Sequence, residues 1–215
     1  MTALAAALFD LDGTLIDSER LVIDAAMRTL VDWGHPVARS FMVSLVGIAE
    51  AEGHRRLCDH IGVALDYQSF NEDWSRAVQR AYGSGIPLMP GVEELLADLT
   101  GRGIPRAVAT NSSTKGALRK LSLAGISAHF QHVVGFDAVA LPKPAPDVFL
   151  AAAACLGVEP SQCVVFEDSD TGVAAALAAG MVVVHVPDMA AAGRFDAHHR
   201  AASILDGARA CGLIA

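Results

Sequence analysis

The feature that most constrains the fold is an apolar run near the start of the chain that ends abruptly in acids. Residues 4–9 read Leu-Ala-Ala-Ala-Leu-Phe, and Asp10, Asp12, Gly13 and Thr14 come directly after them. An unbroken apolar segment of this length is typical of a strand that is buried on both faces. We therefore predict a buried strand that delivers carboxylates to a loop at its carboxyl end.

The spacing of the two acids suits a shared ligand. Because the side chains of an extended segment alternate between its faces, Asp10 and Asp12 are predicted to point the same way. Gly13 permits a sharp turn, and the Thr14 hydroxyl can bind an anion or cap the next segment of the chain. Taken alone, the stretch is equally compatible with a strand that ends in an ordinary polar turn.

Strand and helix patterns alternate from residue 87 onward. Helical patterns, most of them ending at a glycine, separate short apolar segments at 104–109, 133–135, 163–166 and 181–186. Such alternation predicts parallel strands joined by helical crossovers. The predicted fold class is therefore α/β, with a doubly wound, Rossmann-like parallel sheet.

The region between the first strand and this alternating part has a purely helical pattern. Its helical stretches are approximately 19–33, 41–46, 50–61 and 68–82. No convincing strand pattern interrupts them. We predict an all-helical cap domain at residues 17–86, inserted into a core domain formed by residues 1–16 and 87–215.

Composition favours small-molecule chemistry. The 215 residues are 53% hydrophobic and carry a formal net charge of −8. An acidic balance argues against nucleic acid and membrane surfaces as partners, since both attract basic faces. The four cysteines contain no Cys-x-x-Cys pair, which indicates neither a zinc site nor a disulfide framework. With no signal-peptide or membrane-span pattern, we expect a cytoplasmic protein. We also expect a monomer or weak dimer.

Polar residues lie directly after three of the predicted strands, and a lysine lies in a proline-rich loop nearby in the chain. They are Asp10, Asp12, Thr110, Asn111, Ser112, Lys143, Glu167 and Asp168. In open parallel sheets, ligands bind beyond the carboxyl ends of the strands, where the strand order reverses. Acids, hydroxyl and amide donors and one ammonium are together what a phosphate group with a divalent cation requires.

Each of these groups also has a structural alternative. Residues 110–113 would serve equally well as a helix cap, and Lys143 as a solvated loop residue. Glu167 and Asp168 are acids of the kind that a helix N-terminus favours. Lys143 is nevertheless one of only three lysines in the chain, with Lys115 and Lys120. The joint occurrence of the acids, the residues 110–112 and Lys143, in this order along the chain, favours a common site.

Four motifs follow one another along the chain: DLDGT at 10–14, TNS at 110–112, KPAPD at 143–147 and EDS at 167–169 together with Gly172. In their order and spacing, the chain resembles the haloacid dehalogenase superfamily. Within the superfamily, the chain is similar to the β-phosphoglucomutase and phosphoglycolate phosphatase group, in which a helical cap is inserted after the first motif. The hydrolytic dehalogenases of the superfamily lack the second acid, so Asp12 favours phosphoryl transfer over carbon–halogen cleavage.

The resemblance implies an enzyme that uses Mg²⁺ and forms an aspartyl-phosphate. It implies that Asp10 is the nucleophile and that Asp12 is the general acid and base. The implied phosphate-binding residues are Thr110, Asn111, Ser112 and Lys143. The implied metal ligands are Asp10, the backbone carbonyl of Asp12 and Asp168, with Glu167 as a direct or water-mediated partner. The cap would exclude water and select the substrate.

The cap sequence favours a phosphatase over a mutase. Mutase-like caps carry a histidine and an arginine at positions that we align with Val22 and Glu50. Both departures remove groups that would handle a second phosphate. We therefore predict hydrolysis of a small, sugar-phosphate-type metabolite; the alternatives are a phosphomutase and an inactive phosphometabolite-binding protein. Four arginines of the cap could either contact the substrate or be solvated residues on amphipathic helices. They are Arg55, Arg56, Arg76 and Arg80.

Overall fold

The computed structural model describes residues 4–189 and 195–215. The chain divides into two compact units, one formed by Met1–Asp17 with Ile86–Ala215 and the other by Ser18–Gly85. Within the described residues, no helix combines the length and the apolar content that crossing a lipid bilayer requires. All four cysteines lie in this described part and carry free thiols.

The smaller unit is built from helices. They are α1 (Ser18–Asp32), α2 (Arg39–Val43), α3 (Glu50–Ile61) and α4 (Tyr67–Tyr82). The Phe70 ring packs edge to face on Trp33, with ring centroids 5.7 Å apart. The indole Nε1 of Trp74 donates to the main-chain oxygen of Val22 at 3.0 Å. Aromatic side chains of α4 thus pack against the α1 segment.

The larger unit is built on a parallel sheet. Its strands are β1 (Ala6–Phe9), β2 (Arg106–Ala109), β3 (His132–Val134), β4 (Cys163–Glu167), β5 (Val182–His185) and β6 (His199–Arg200). Among the described residues they form one six-stranded sheet in the order β3-β2-β1-β4-β5-β6. Every neighbouring pair is parallel. The order reverses between β1 and β4, as in a doubly wound fold, and the predicted fold class is confirmed.

Burial on both faces explains the apolar strand sequences. The flanking helices are α5 (Val92–Gly101), α6 (Thr114–Leu123), α7 (Asp147–Leu156), α8 (Asp170–Ala178) and α9 (Ile204–Ala210). Every residue of β1, β2 and β4 is buried. The rings of Phe9 and Phe166, on adjacent strands, stack with centroids 5.0 Å apart. Strands covered on both sides need no polar face, so they read as continuous apolar runs.

The sequence pattern predicts neither β6 nor α9. A two-residue strand is too short to show a period of two. Its place depends on pairing with β5, where Val184 lies opposite His199. The main-chain N–H of Ala201 continues this pairing by donating to His185 O at 3.0 Å. Tertiary pairing, not local sequence, therefore defines this edge of the sheet.

Candidate active site

The predicted site residues converge where the strand order reverses. Strand β1 pairs with β2 on one side and with β4 on the other. Beyond the strand, the main-chain N–H of Asp10 still donates to Phe166 O at 3.0 Å. Asp10, Thr110 and Glu167 therefore stand at the carboxyl ends of three adjacent strands, and all three are buried.

A buried lysine joins two of the acids. Lys143 Nζ donates to Asp10 Oδ1 at 2.5 Å and to Glu167 Oε1 at 2.6 Å. Lys143 is 5% exposed, and its Nζ lies 4.7 Å from the centroid of the Phe149 ring. Lysine is almost never buried unless it is paired. The structure therefore holds one ammonium between two carboxylates.

Burial and charge shift the pKa values of this pair. Burial raises the pKa of the Asp10 carboxyl above its ordinary value of 3.8; Lys143 opposes this rise and Glu167 adds to it. Burial alone would lower the pKa of Lys143, but the two carboxylates raise it above its ordinary 10.5. Lys143 therefore keeps its positive charge at neutral pH.

The start of α8 holds the second oxygen of Glu167. Glu167 Oε2 accepts from Ser169 N at 2.9 Å and from Ser169 Oγ at 3.0 Å. The same Ser169 hydroxyl caps the helix by accepting from Gly172 N at 3.1 Å. A Cβ atom on Gly172 would lie 1.6 Å from Glu167 Oε1. Gly172, which the motif includes, leaves the space that Glu167 occupies.

Asp168 faces the turn after β1. Thr14 Oγ1 donates to Asp168 Oδ1 at 3.3 Å. Gly13 has a φ of +85°, and a Cβ atom there would lie 2.5 Å from Asp168 Oδ2. His185 Nε2 lies 3.0 Å from the main-chain oxygen of Asp168. Glycine at position 13 thus allows the turn to approach the carboxylate closely.

The predicted phosphate-binding side chains after β2 have partners within the protein. Asn111 Oδ1 accepts from Lys143 N at 2.9 Å, and Asn111 Nδ2 donates to Lys143 O at 3.2 Å. Ser112 N donates to Thr110 Oγ1 at 3.0 Å, and Ser112 Oγ donates to Asp12 Oδ2 at 2.9 Å. Asn111 therefore anchors the main chain of Lys143, a contact that the motif by itself does not reveal.

Asp12 is held by a residue that no sequence pattern assigns to the site. Lys120 Nζ, on α6, donates to both carboxylate oxygens of Asp12 at 2.7 Å. It also donates to Ser112 Oγ at 3.1 Å. The contact spans 108 positions in the chain, so it depends on where α6 packs rather than on any local motif.

The donors present fit magnesium better than zinc. The described ranges, 4–189 and 195–215, contain no group of three or more His, Cys, Asp or Glu side chains placed to hold a metal ion. Mg²⁺ is usually bound through one or two carboxylates, with waters and substrate phosphate as further ligands. The Asp168 carboxylate supplies oxygen donors of this kind. It lies beside the Gly13 turn, close to the end of β1. Zinc sites in proteins are usually built from His and Cys side chains rather than from carboxylates alone.

Three of the four cap arginines form ion pairs within the helical unit. Arg55 Nη2 and Arg56 Nε lie 2.8 and 2.7 Å from Glu52 Oε1. Arg76 pairs with Asp73 on the same helix. The side chains of all three arginines are at least half exposed. These contacts agree with the interpretation of solvated residues on amphipathic helices.

Comparisons with known proteins identify the family of the chain. The sequence model of the haloacid dehalogenase-like hydrolase family matches residues 7–186. The chain is 31% identical over 176 residues to a phosphorylated carbohydrates phosphatase of Thermotoga maritima, covering 82% of both chains. It is 35% identical over 182 residues to the fructose-1-phosphate phosphatase YqaB of Escherichia coli, covering 85% of this chain and 96% of the relative.

A solved structure extends the similarity to three dimensions. The crystal structure of a HAD family hydrolase from Deinococcus radiodurans R1, with bound phosphate and sodium, matches with a TM-score of 0.84 and 26% identity. The match covers 99% of this chain and 97% of that one. Together with the matched family model, these similarities confirm the resemblance that the four motifs indicate: the chain belongs to the haloacid dehalogenase-like hydrolase family.

Proposed function

We propose that this protein is a Mg²⁺-dependent phosphatase that hydrolyses a small, sugar-phosphate-type metabolite. The observation that carries the proposal is the buried Lys143 ammonium, 2.5 Å from Asp10 Oδ1 and 2.6 Å from Glu167 Oε1. A fixed cation beside a carboxylate offsets the repulsion between that carboxylate and a phosphate dianion. Relatives named for phosphorylated carbohydrates and fructose 1-phosphate support this substrate class.

In the proposed mechanism, Asp10 attacks phosphorus and the bond from phosphorus to the leaving alcohol breaks. The product of this step is an aspartyl-phosphate. Asp12 protonates the leaving oxygen and then takes a proton from the water that hydrolyses the aspartyl-phosphate. Lys143 and Thr110 bind the phosphoryl oxygens, and Asn111 positions Lys143 through its main chain.

The proposed Mg²⁺ ligands are Asp10, Asp168 and the backbone carbonyl of Asp12. When bound, the cation neutralises charge on the phosphoryl group. Both Glu167 oxygens already bond with Lys143 and Ser169. We therefore assign Glu167 mainly to holding Lys143, and its contact with the metal, direct or through water, stays a prediction.

The decisive experiment measures phosphate release from a panel of phosphorylated metabolites. The wild type is expected to turn over sugar phosphates with Mg²⁺ and to lose activity in EDTA. Asp10→Asn should lower kcat by at least about a thousandfold. The matched control, Glu94→Gln, alters an exposed acid on α5 and should behave as the wild type. Acid-quenched wild-type reactions should contain a labile acyl phosphate; equal rates for wild type and Asp10→Asn would refute the proposal.

The same panel separates the alternatives. A phosphomutase would isomerise a hexose phosphate without net phosphate release and would require a bisphosphate activator. A binding protein would bind the metabolite without turnover. The net charge of −8 supports a free small metabolite as the partner rather than nucleic acid. Light scattering tests the predicted monomer or weak dimer.

A further inference from the structure

We propose that Lys120 is a positioning residue for Asp12, the acid and base of the proposed function on which this inference rests. Lys120 does not belong to any of the four motifs. Its ammonium meets both Asp12 oxygens at 2.7 Å and Ser112 Oγ at 3.1 Å. Ser112 Oγ itself donates to Asp12 Oδ2 at 2.9 Å. The Asp12 carboxylate is thus held from two directions.

The burial of this ion pair distinguishes it from the others on the surface. The side chains of Lys120 and Asp12 are 19% and 23% exposed. By contrast, both partners in the helical pairs of Arg55 and Arg102 are at least 36% exposed. Exposed pairs of that kind contribute little to structure, whereas a partly buried, multiply bonded pair restrains its members. Lys120 therefore restricts where the Asp12 carboxylate can lie.

Hydrogen bonds fix the N-terminal end of α6, which makes the restraint by Lys120 effective. Ser113 caps the helix by accepting from Gly116 N at 3.2 Å. Asp137 Oδ1 accepts from Thr114 N at 2.7 Å and from Thr114 Oγ1 at 2.8 Å. Lys120 lies further along the same helix. A helix anchored at its start holds the lysine that reaches Asp12.

Positioning of a general acid has a kinetic signature. Phenolate is a poor leaving group and needs a proton in the transition state, whereas p-nitrophenolate leaves readily without one. Loss of the Lys120 restraint should therefore slow phenyl phosphate much more than p-nitrophenyl phosphate. A general loss of packing or of phosphate binding would slow both substrates equally. The ratio of the two kcat/KM values separates positioning from structure.

The variant to test is Lys120→Met, which keeps an unbranched side chain of similar length, one heavy atom shorter, and removes the charge. We expect kcat/KM for phenyl phosphate to fall about 10- to 100-fold, and for p-nitrophenyl phosphate less than about threefold. Lys120→Arg should recover part of the loss, because it restores a cation. Lys115→Met, on the exposed side of the same helix, is the matched control and should leave both rates unchanged.

A double-mutant cycle tests whether Lys120 acts through Asp12. In an Asp12→Asn background, Lys120→Met should change kcat/KM by less than about twofold. Equal losses on the two aryl phosphates, or a full additional loss in the Asp12→Asn background, would overturn the proposal. If Lys120→Met does not fold, judged by thermal unfolding, Lys120→Gln is measured in the same way with the same expectations.

A spectroscopic test is independent of activity. The chain has only three lysines, so a sample labelled with ¹⁵N at lysine Nζ gives a simple spectrum. Asp12→Asn should shift the Lys120 signal and leave the Lys115 signal in place. An unmoved Lys120 signal would refute the positioning role even if the enzyme is a phosphatase. Conversely, a shifted signal in a protein without phosphatase activity would reject the proposed function and retain the contact.

Discussion

Gly172→Ala tests the packing that holds Glu167 in the site. An added Cβ atom would lie 1.6 Å from Glu167 Oε1 and 1.9 Å from Glu167 Cδ. Ordinary van der Waals contact begins at 3.4 Å. Glu167 Oε1 would have to move by about 1.8 Å, the difference between 3.4 and 1.6 Å. Glu167 is fully buried, and protein interiors are close-packed. The bond of 2.6 Å to Lys143 would not survive such a displacement.

The energetic cost depends on this displacement. Overpacking a core costs about 1–3 kcal/mol, and breaking a buried ion pair costs about 3–5 kcal/mol. Alanine regains about 1 kcal/mol over glycine in a helix. Because Glu167 is displaced rather than removed, we expect the free energy of unfolding to fall by about 3 kcal/mol. For a chain of this size, Tm should then fall by about 6–12 °C.

Gly116→Ala provides a closely matched control. Gly116 is the third residue of α6, as Gly172 is of α8, and each donates its N–H to the hydroxyl of a capping serine. At Gly116 an added Cβ atom would meet only Ser113 Oγ, at 3.0 Å. Its Tm should therefore stay level or rise slightly.

Thermal unfolding and phosphate release are measured on both variants. Gly172→Ala should also lose activity, because Lys143 loses one of its two carboxylate partners. Equal unfolding temperatures and equal hydrolysis of phosphate esters in the two variants would refute the packing role of Gly172. A crystal structure of Gly172→Ala with the contact between Lys143 and Glu167 intact would have the same consequence.

Three further predictions concern the buried charge of Lys143, the packing of Phe70 and the pKa of Asp137. Lys143→Met leaves two buried acids without their cation; urea unfolding should show a loss of about 3–5 kcal/mol, and phosphate release should cease. Phe70→Ala removes a ring that is 3% exposed; it should cost about 3–5 kcal/mol, seen as faster amide exchange within residues 18–85. The Thr114 amide and hydroxyl lower the pKa of Asp137 below its ordinary 3.8. NMR titration should show this low pKa, and Thr114→Val should raise it.

The lowered pKa of Asp137 makes the stability of the protein depend on pH. Because the native pKa of this carboxyl lies below its unfolded pKa, Asp137 contributes stability at pH values above the unfolded pKa. That contribution is lost as the pH falls through the native pKa. An Asp137 pKa at or above 3.8 would contradict the two hydrogen bonds.

Unchanged stability of Lys143→Met would contradict the pairing of Lys143 with the two acids. Unchanged amide exchange in Phe70→Ala would contradict the place of Phe70 in the helical core.

Much of the larger unit is predictable from local pattern. The apolar run before Asp10, and the later runs that end before Thr110 and at Glu167, identify strands because buried parallel strands need no polar face. The acids and hydroxyls at their ends predict a site at one sheet edge, because parallel strands bring their carboxyl ends together. Strand β6 escapes prediction because two residues carry no readable period.

Local sequence determines the strand ends and the turn at Gly13, since both depend on short-range geometry. The order of the four motifs is given directly by the chain. Tertiary structure alone decides which partners the side chains take. It assigns Asn111 to the main chain of Lys143 and both Glu167 oxygens to Lys143 and Ser169. It also brings Lys120 to Asp12. Except for the local bond between Glu167 and Ser169, these contacts join residues at least 24 positions apart in the chain. Only the packing of helices against the sheet brings such residues within bonding distance.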